Sequence, residues 1–223
     1  MISKTKSRSV AKPRLTKVEF DLVLKSLKKE YPDAHCALNF KTPFQLLVAT
    51  ILSAQCTDER VNKVTVELFK RYPTAKKMVL CPLGELEELI RSTGFFKNKA
   101  KNIKEACAIL VERYHGEVPK TMEELYALPG VGRKTANVVL GNAYGIAAGV
   151  VVDTHVTRLA NRFGWVKIQD AVKIENKLNE LCPQEDWVML PHYLISHGRA
   201  ICKARNPDCE NCFLNKACPK LGL

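Results

Sequence analysis

The 223-residue chain carries 35 lysines and arginines against 23 acidic residues, a formal net charge of +12, and 46% of its residues are hydrophobic. This composition fills a folded core and indicates a polyanionic partner, with nucleic acid as the leading candidate. The longest apolar runs, residues 46–51 and 146–152, are far shorter than the ~18 residues of a membrane span, so we expect no transmembrane segment.

The first fourteen residues form a basic tail without an acidic residue. A stretch of this composition is expected to be disordered and attracted to phosphate. It lacks the apolar core of a secretory signal, although a mitochondrial transit peptide remains an alternative. We therefore expect a cytoplasmic protein, associated with the nucleoid if bacterial.

Apolar residues recur at helical spacing along most of the chain, and capping and breaking residues divide them into helices. Thr16 and Glu19 have the form of a capping box before a helix that ends at Tyr31-Pro32, and Pro43 begins the next. The remaining predicted helices cover residues 58–71 after a Thr57 cap, 74–80, 83–92, 97–114, 123–128, 133–143, 153–163, 170–181 and 187–202. No segment alternates with period two, so the sequence predicts an all-α fold, with residues 145–152 crossing between two lobes.

Residues 128–136 read Leu-Pro-Gly-Val-Gly-Arg-Lys-Thr-Ala, a tight glycine turn between two helical segments. This pattern predicts a helix-hairpin-helix, because Gly130 and Gly132 tolerate left-handed backbone angles. The backbone N–H groups of Val131, Gly132 and Arg133 are expected to be free at the start of the second helix. Such a helix N-terminus is an anion site, and phosphate is its natural occupant.

Lys134 follows directly on this turn. The positive end of the helix dipole, partial burial and the neighbouring Arg133 all disfavour a charged ammonium there, which favours a nucleophilic amine. A lysine that contacts a phosphate, or a solvated helix residue, is the simpler interpretation of its position.

The nine cysteines divide into a dispersed set and a C-terminal set. The dispersed set lies in apolar surroundings and is expected to be structural: Cys36, Cys56, Cys81, Cys107 and Cys182. The C-terminal set has the spacing C-x6-C-x2-C-x5-C: Cys202, Cys209, Cys212 and Cys218. Without a secretion signal, a reducing compartment and a metal site are favoured over disulfides. One short gap between two longer ones favours a [4Fe–4S] cluster, with zinc and an unmetallated thiol group as alternatives.

Three features in this order resemble endonuclease III, the iron–sulfur family of helix-hairpin-helix DNA glycosylases: the glycine turn, Val152-Asp153-Thr154-His155, and the C-terminal cysteine spacing. The resemblance spans residues 15–218. It implies the helix-hairpin-helix DNA glycosylase fold, in which DNA binds in a cleft between two lobes. A six-helix barrel lobe would cover residues 36–147, with the hairpin at 121–144. An iron–sulfur cluster lobe would combine residues 15–35 and 148–223.

The resemblance also implies an activity: excision of oxidised pyrimidines of the thymine glycol type from duplex DNA, followed by cleavage of the abasic site by β-elimination. Lys134 matches the lysine that attacks the sugar C1′, and Asp153 matches the carboxylate that assists it. A damaged base leaves an extruded nucleotide as positive charge develops on the sugar, so a carboxylate and a neutral amine suit that chemistry. Asp153 is also well placed to cap the helix that follows, and the two roles are compatible.

Two more residues are assigned through the resemblance. Gln55 matches the glutamine that enters the gap left by the extruded nucleotide, with a polar helix-end residue as the alternative. Phe95 stands where the family often has a leucine wedge, with a buried core phenylalanine as the alternative. His155, His192 and His197 are expected to be core or capping histidines rather than proton carriers.

Two other functions compete with this one. An adenine-mismatch glycosylase shares the hairpin, the aspartate and the cluster. It lacks the lysine, however, and uses a glutamate in the helix that corresponds to residues 43–56, where this chain has no carboxylate. A non-catalytic DNA-binding or redox-sensing module is disfavoured by the presence of both Lys134 and Asp153. We expect a monomer that binds double-stranded DNA and does not bind a membrane.

Overall fold

The computed structural model describes residues 17–223, so the basic tail at 1–14 and Thr16 of the expected capping box lie outside the described residues. The described part is all-α and contains no strand, as the sequence predicts. Its helices are α1 (Lys17–Glu30), α2 (Pro43–Leu52), α3 (Asp58–Arg71), α4 (Ala75–Leu80), α5 (Leu83–Ile90), α6 (Phe96–Tyr114), α7 (Met122–Tyr126), α8 (Arg133–Tyr144), α9 (Thr154–Arg162), α10 (Ala171–Leu181) and α11 (Leu190–Ala200). None of these helices is long and apolar enough to cross a membrane.

Side-chain caps start several of these helices. In six of them a threonine or aspartate before the first turn accepts the N–H of the residue three positions later: Thr42, Thr57, Thr74, Thr121, Asp153 and Asp170. Each such cap satisfies one of the otherwise unpaired N–H groups and contributes about 0.5–2 kcal/mol. The starts predicted from Thr57, Asp153 and Asp170 are therefore confirmed.

Three predicted helices extend two or more residues beyond the observed ones, and one of them, 123–128, ends at Tyr126. The segment 83–92 ends as an α-helix at Ile90 and continues as a 3-10 turn, Arg91–Thr93. The segment 187–202 is helical only over Leu190–Ala200. Pro191 has no N–H to donate and is tolerated only in a first turn, so α11 begins at Leu190 rather than at Trp187.

Buried hydrophobic side chains form two clusters. The first, between residues 38 and 140, is centred on α2, whose residues 44–52 are all buried. Helix α8 packs along α2, and α4 and α5 pack along α6. The wholly buried leucines of α2 each contribute roughly 2 kcal/mol of hydrophobic stabilisation, which makes α2 the centre of this part of the chain.

The second cluster joins the start of the described chain to its end. It combines buried residues of α1 with residues between 150 and 214. Phe20 of α1 lies with its ring 4.6 Å from that of Trp165, and both side chains are buried. Residues 145–153, between α8 and α9, carry the chain from the first cluster to the second.

Candidate active site

The glycine turn joins α7 to α8 as a helix-hairpin-helix. Leu128 and Val131 are buried and anchor the turn, while Gly130 adopts a φ of +75°. A Cβ atom on Gly130 would lie 2.9 Å from the Cβ of Asn102, so both the backbone angle and the space require glycine. Gly132 caps α8 with an extended φ of −93°, and nothing lies within 4 Å of where its Cβ would be.

The expected row of free N–H groups is partly wrong. The N–H of Val131 donates to the carbonyl of Leu128 at 3.1 Å and is used within the turn. Within residues 17–223, the N–H groups of Gly132, Arg133 and Lys134 have no recorded acceptor. The anion site at the start of α8 therefore consists of these later donors.

The side chain of Arg133 is engaged elsewhere. Its Nε and one terminal nitrogen donate to the two carboxylate oxygens of Glu175 in α10, at 2.8 and 2.9 Å. This contact raises the pKa of the guanidinium. The Glu175 side chain is 6% exposed, and Asn137 also donates to it, at 3.1 Å. Any contact of Arg133 with a phosphate is thus left to its backbone N–H.

Lys134 is exposed, which corrects the expectation that it is partly buried. It lines two cavities, one of about 750 Å³ and one of about 150 Å³, and Asp153 lines both of them as well. Lys134 and Asp153 therefore line shared cavities, although the buried residues next to them in the chain belong to different hydrophobic clusters.

Asp153 caps α9 and is half-buried. Its Oδ1 accepts the N–H of Val156 at 2.8 Å, while Oδ2 has no hydrogen bond recorded within the described chain. The buried side chains of Val150 and Val152 fix the segment that leads to it. One carboxylate oxygen is thus held by the helix and the other is left available, so the capping interpretation is confirmed and leaves room for a second role.

The smaller cavity has polar walls that sequence reasoning missed. Arg199 of α11 donates to Asp58 Oδ2 of α3 at 2.6 Å, and His192 Nε2 lies 2.8 Å from Asn142 Oδ1. All four residues line the cavity with Lys134 and Asp153. No spacing rule relates them, because they come from three helices that are distant in the sequence. Their proximity exists only in the folded chain.

Burial disfavours the charged form of His155, His192 and His197. Burial lowers the pKa of His197 to about 4, and this side chain is 1% exposed. Burial also lowers the pKa of His155 and of His192. His197 is therefore a core histidine as expected, whereas His192 lines the small cavity.

Gln55 and Phe95 lie in loops outside the cores. Both are exposed, and Phe95 retains 64% of its accessible surface, so the core alternative for Phe95 is wrong. Both adopt left-handed backbone angles, with φ of 53° and 48°. Such angles are uncommon for residues other than glycine, and they occur often where a loop presents a side chain for function.

The four C-terminal cysteines line one cavity with Arg162 and His197. None of the nine cysteines forms a disulfide, and three of the dispersed set, Cys81, Cys107 and Cys182, are buried as expected. Cys36 and Cys56 are only partly buried.

The C-terminal thiols are a donor set that suits an iron–sulfur cluster, because four cysteine sulfurs lie around one cavity. A [4Fe–4S] cluster takes one thiolate for each iron and needs wider spacing than tetrahedral zinc. Hydrogen-bond donors also surround the sulfurs: Arg162 lies 3.3 Å from Cys202 Sγ, and the N–H of Lys220 lies 3.4 Å from Cys218 Sγ.

The chain is similar to known proteins in sequence and in fold. The profile of the HhH-GPD superfamily base excision DNA repair proteins matches residues 48–184. Endonuclease III of Synechocystis sp. is 59% identical over 197 residues, which cover 88% of this chain and 90% of that protein. Endonuclease III of Bacillus subtilis is 45% identical over 205 residues, 92% of each protein.

The fold is likewise similar to that of a solved structure, a trapped endonuclease III–DNA covalent intermediate in an estranged-adenine complex. The two chains are 46% identical with a TM-score of 0.87, and the match covers 93% of this chain and 97% of that one. The likeness thus extends over nearly the whole length in both sequence and fold.

Proposed function

We propose a function that follows from the family of the chain, which belongs to the endonuclease III family of the HhH-GPD superfamily. The chain is a DNA N-glycosylase with abasic-site lyase activity. Its substrate is double-stranded DNA with an oxidised pyrimidine of the thymine glycol type or an abasic site, and it acts as a monomer. The observation that carries the proposal is that Lys134 and Asp153 line the same two cavities. Residues 36–147 form the barrel lobe, and residues 17–35, the described part of the segment expected at 15–35, form the cluster lobe with residues 148–223.

Lys134 is the nucleophile of the reaction. Its neutral amine forms a bond to C1′ of an extruded nucleotide as the bond from C1′ to the base breaks, and the base leaves with the electron pair and takes up a proton. The nitrogen then loses a proton, the C1′–O4′ bond breaks and O4′ takes up a proton, and the protonated imine that results makes the C2′ proton acidic. Loss of that proton then breaks the bond from C3′ to the phosphate oxygen and leaves a nicked strand.

Asp153 supports the step in which charge develops. Positive charge accumulates on the sugar as the base departs, and a carboxylate beside it stabilises that transition state. The hydrogen bond from the N–H of Val156 to Oδ1 fixes the orientation of the carboxylate. Oδ2 is the oxygen that faces the sugar.

The hairpin binds the DNA backbone without reading bases. The N–H groups of Gly132 and Arg133 donate to a phosphate, and the missing side chain of Gly132 allows the phosphate to approach. Gly130 and Val131 hold the turn in shape. Gln55 fills the gap left by the extruded nucleotide, and Phe95 enters the adjacent base step as a wedge.

The cysteines at 202, 209, 212 and 218 hold a [4Fe–4S] cluster. When bound, this group ties the C-terminal loop together and supplies one-electron chemistry. Analysis of the purified protein for iron, sulfide and zinc distinguishes it from a zinc site. About four irons and four sulfides per chain are expected, and stoichiometric zinc without sulfide would contradict the assignment.

Borohydride trapping tests the proposed chemistry. A duplex with one thymine glycol or one abasic site is incubated with the protein and with Lys134→Ala, and the matched control is Lys177→Ala, since Lys177 is an exposed lysine of α10 that pairs with Glu180. The natural protein and the control are expected to give a covalent complex that is absent for Lys134→Ala.

Two outcomes would contradict the proposal in different ways. Base release without a trapped complex or a nick would indicate a glycosylase without lyase activity, which is the class of the adenine-mismatch enzymes. Binding without base release or nicking on either duplex would indicate a non-catalytic module.

A further inference from the structure

Lys99 is a buried lysine that the proposed reaction does not use. It lies in the first turn of α6, and the residue is 5% exposed. Its ammonium donates to the carbonyl oxygens of Leu52 and Thr93, each at 2.8 Å. A charged group is rarely buried unless it is hydrogen-bonded, so these two contacts explain why a lysine is tolerated there.

The two carbonyls that Lys99 contacts both lie at the C-terminal end of a helical segment. Leu52 is the last residue of α2, and Thr93 is the last residue of the 3-10 turn before α6. The carbonyls at such ends lack partners within their own helix and carry partial negative charge. One ammonium therefore ties two helix ends to each other, across 41 positions of the chain.

Both helix ends lead directly into the loops proposed to enter the DNA. Gln55 lies three residues after Leu52, and Phe95 lies two residues after Thr93. Both loop residues are exposed and hold left-handed backbone angles, which are unfavourable for residues other than glycine and need support from the surrounding structure. The contacts of Lys99 supply a fixed point for both loops at once.

We propose that Lys99 is a positioning residue that sets the separation between the Gln55 loop and the Phe95 loop, so that both side chains enter the same site in the DNA. This inference rests on the proposed function. It assigns to a buried lysine of α6 the alignment of two DNA-entering side chains that lie far apart in the sequence.

The same helix offers a matched control. Lys104 is half-buried, and its ammonium donates to the carbonyls of Met78, Val79 and Cys81 at the end of α4. It makes the same kind of contact with a helix end, but that end does not lead into either loop. If the excision rate fell only because a helix end had lost its hydrogen-bond donor, substitution of either lysine should lower the rate equally.

The experiment compares the natural protein with Lys99→Met and Lys104→Met under single turnover, with protein in excess. One substrate is a duplex with a paired thymine glycol, and the other carries the same lesion in a one-nucleotide bulge, where no partner base is left behind. We expect Lys99→Met to slow excision of the paired lesion by about tenfold or more, and excision of the bulged lesion by less than about threefold. Lys104→Met should change both rates little.

A combined variant supplies a second readout. In the background Gln55→Ala with Phe95→Ala, Lys99→Met should slow the paired substrate no further, because Lys99 acts through those two side chains. If Lys99→Met fails to fold, Lys99→Gln replaces it, since its amide still donates to one of the two carbonyls. An intermediate loss on the paired lesion is then expected.

Equal slowing on paired and bulged lesions, or equal slowing by Lys99→Met and Lys104→Met, would overturn the inference, as would an unchanged rate for Lys99→Met. A natural protein that excises neither lesion would instead overturn the proposed function. The two failures are thus distinguishable.

Discussion

Arg133 at the start of α8 and Glu175 in α10 form a two-bond ion pair that joins the two hydrophobic clusters, with nitrogen-to-oxygen distances of 2.8 and 2.9 Å. The pair lies one residue from Lys134, while Asp153 belongs to the other side of the same junction. Gly149 in the connection between clusters makes room for it, because a Cβ atom there would lie 2.2 Å from Glu175 Oε1. The relative placement of Lys134 and Asp153 thus depends on this contact.

Removing Arg133 should destabilise the protein more than neutralising Glu175. Arg133→Ala leaves a carboxylate whose side chain is 6% exposed with only the Asn137 amide as its partner, and a loss of about 3 kcal/mol in the free energy of unfolding is expected. Glu175→Gln keeps the shape and removes the buried charge, so its loss should be smaller. Urea unfolding measures both.

An exposed ion pair serves as the control for this comparison. Arg71 and Glu67 are both about half exposed on α3, and Arg71→Ala is expected to change the unfolding midpoint little. Equal losses in the free energy of unfolding from Arg133→Ala and Arg71→Ala would mean that the buried pair stabilises the fold no more than an exposed pair does.

Two substitutions of Asp153 should separate its roles. Asparagine caps a helix about as well as aspartate, so Asp153→Asn should leave the unfolding free energy within a few tenths of a kcal/mol while abasic-site trapping and base excision fall by at least about a hundredfold. Asp153→Ala should lose the activity and also about 1 kcal/mol of stability. An active Asp153→Asn variant would reduce Asp153 to a helix cap.

Two glycines of the hairpin should respond in opposite ways. Gly130→Ala combines a φ of +75° with a Cβ 2.9 Å from Asn102, so a loss above about 1 kcal/mol of stability is expected. Gly132→Ser faces open space and provides a better N-cap, so stability should be kept or raised. Its side chain would occupy the open space through which the phosphate approaches, so DNA affinity should fall. Tight DNA binding by a stable Gly132→Ser variant would contradict the hairpin assignment.

His192 should make stability depend on pH. Its pKa is lowered, mainly by burial and also by His35, while Asp153 opposes the shift. As the pH falls below about 6.5, the unfolded chain takes up the proton before the folded one, so the stabilisation present at neutral pH is lost on acidification. Between pH 8 and 5, the urea midpoint of the natural protein should fall more steeply than that of His192→Gln. Parallel curves would show that His192 does not contribute to the pH dependence of stability.

DNA binding should weaken steeply with salt. The net charge is +12, and neutralising several phosphates releases condensed counterions, so the logarithm of the association constant should fall linearly with the logarithm of salt between about 50 and 200 mM. Removing residues 1–14, which hold five lysines and arginines, should make the slope shallower. A flat response would contradict binding through the DNA backbone.

Local chemistry in the sequence determined the helices and the identity of the candidate residues. Some features depend only on a few neighbouring residues and can be predicted without knowledge of the fold: the glycine at 130, the caps at Thr57 and Asp153, and the cysteine spacing. The same local rules failed at residue 187, where Pro191 set the start of α11, and at the N–H of Val131, which the turn itself consumes.

Only the tertiary structure decided which of these groups meet. The pairing of Arg133 with Glu175, the polar wall formed by Asp58, Arg199 and His192, and the contact of Lys99 with two helix ends all join distant segments. Sequence periodicity identifies the buried face of a helix but not the element packed against it. Contacts between distant segments are set by the packing of whole helices, so the sequence indicated the residues of the proposed reaction but not the residues that support them.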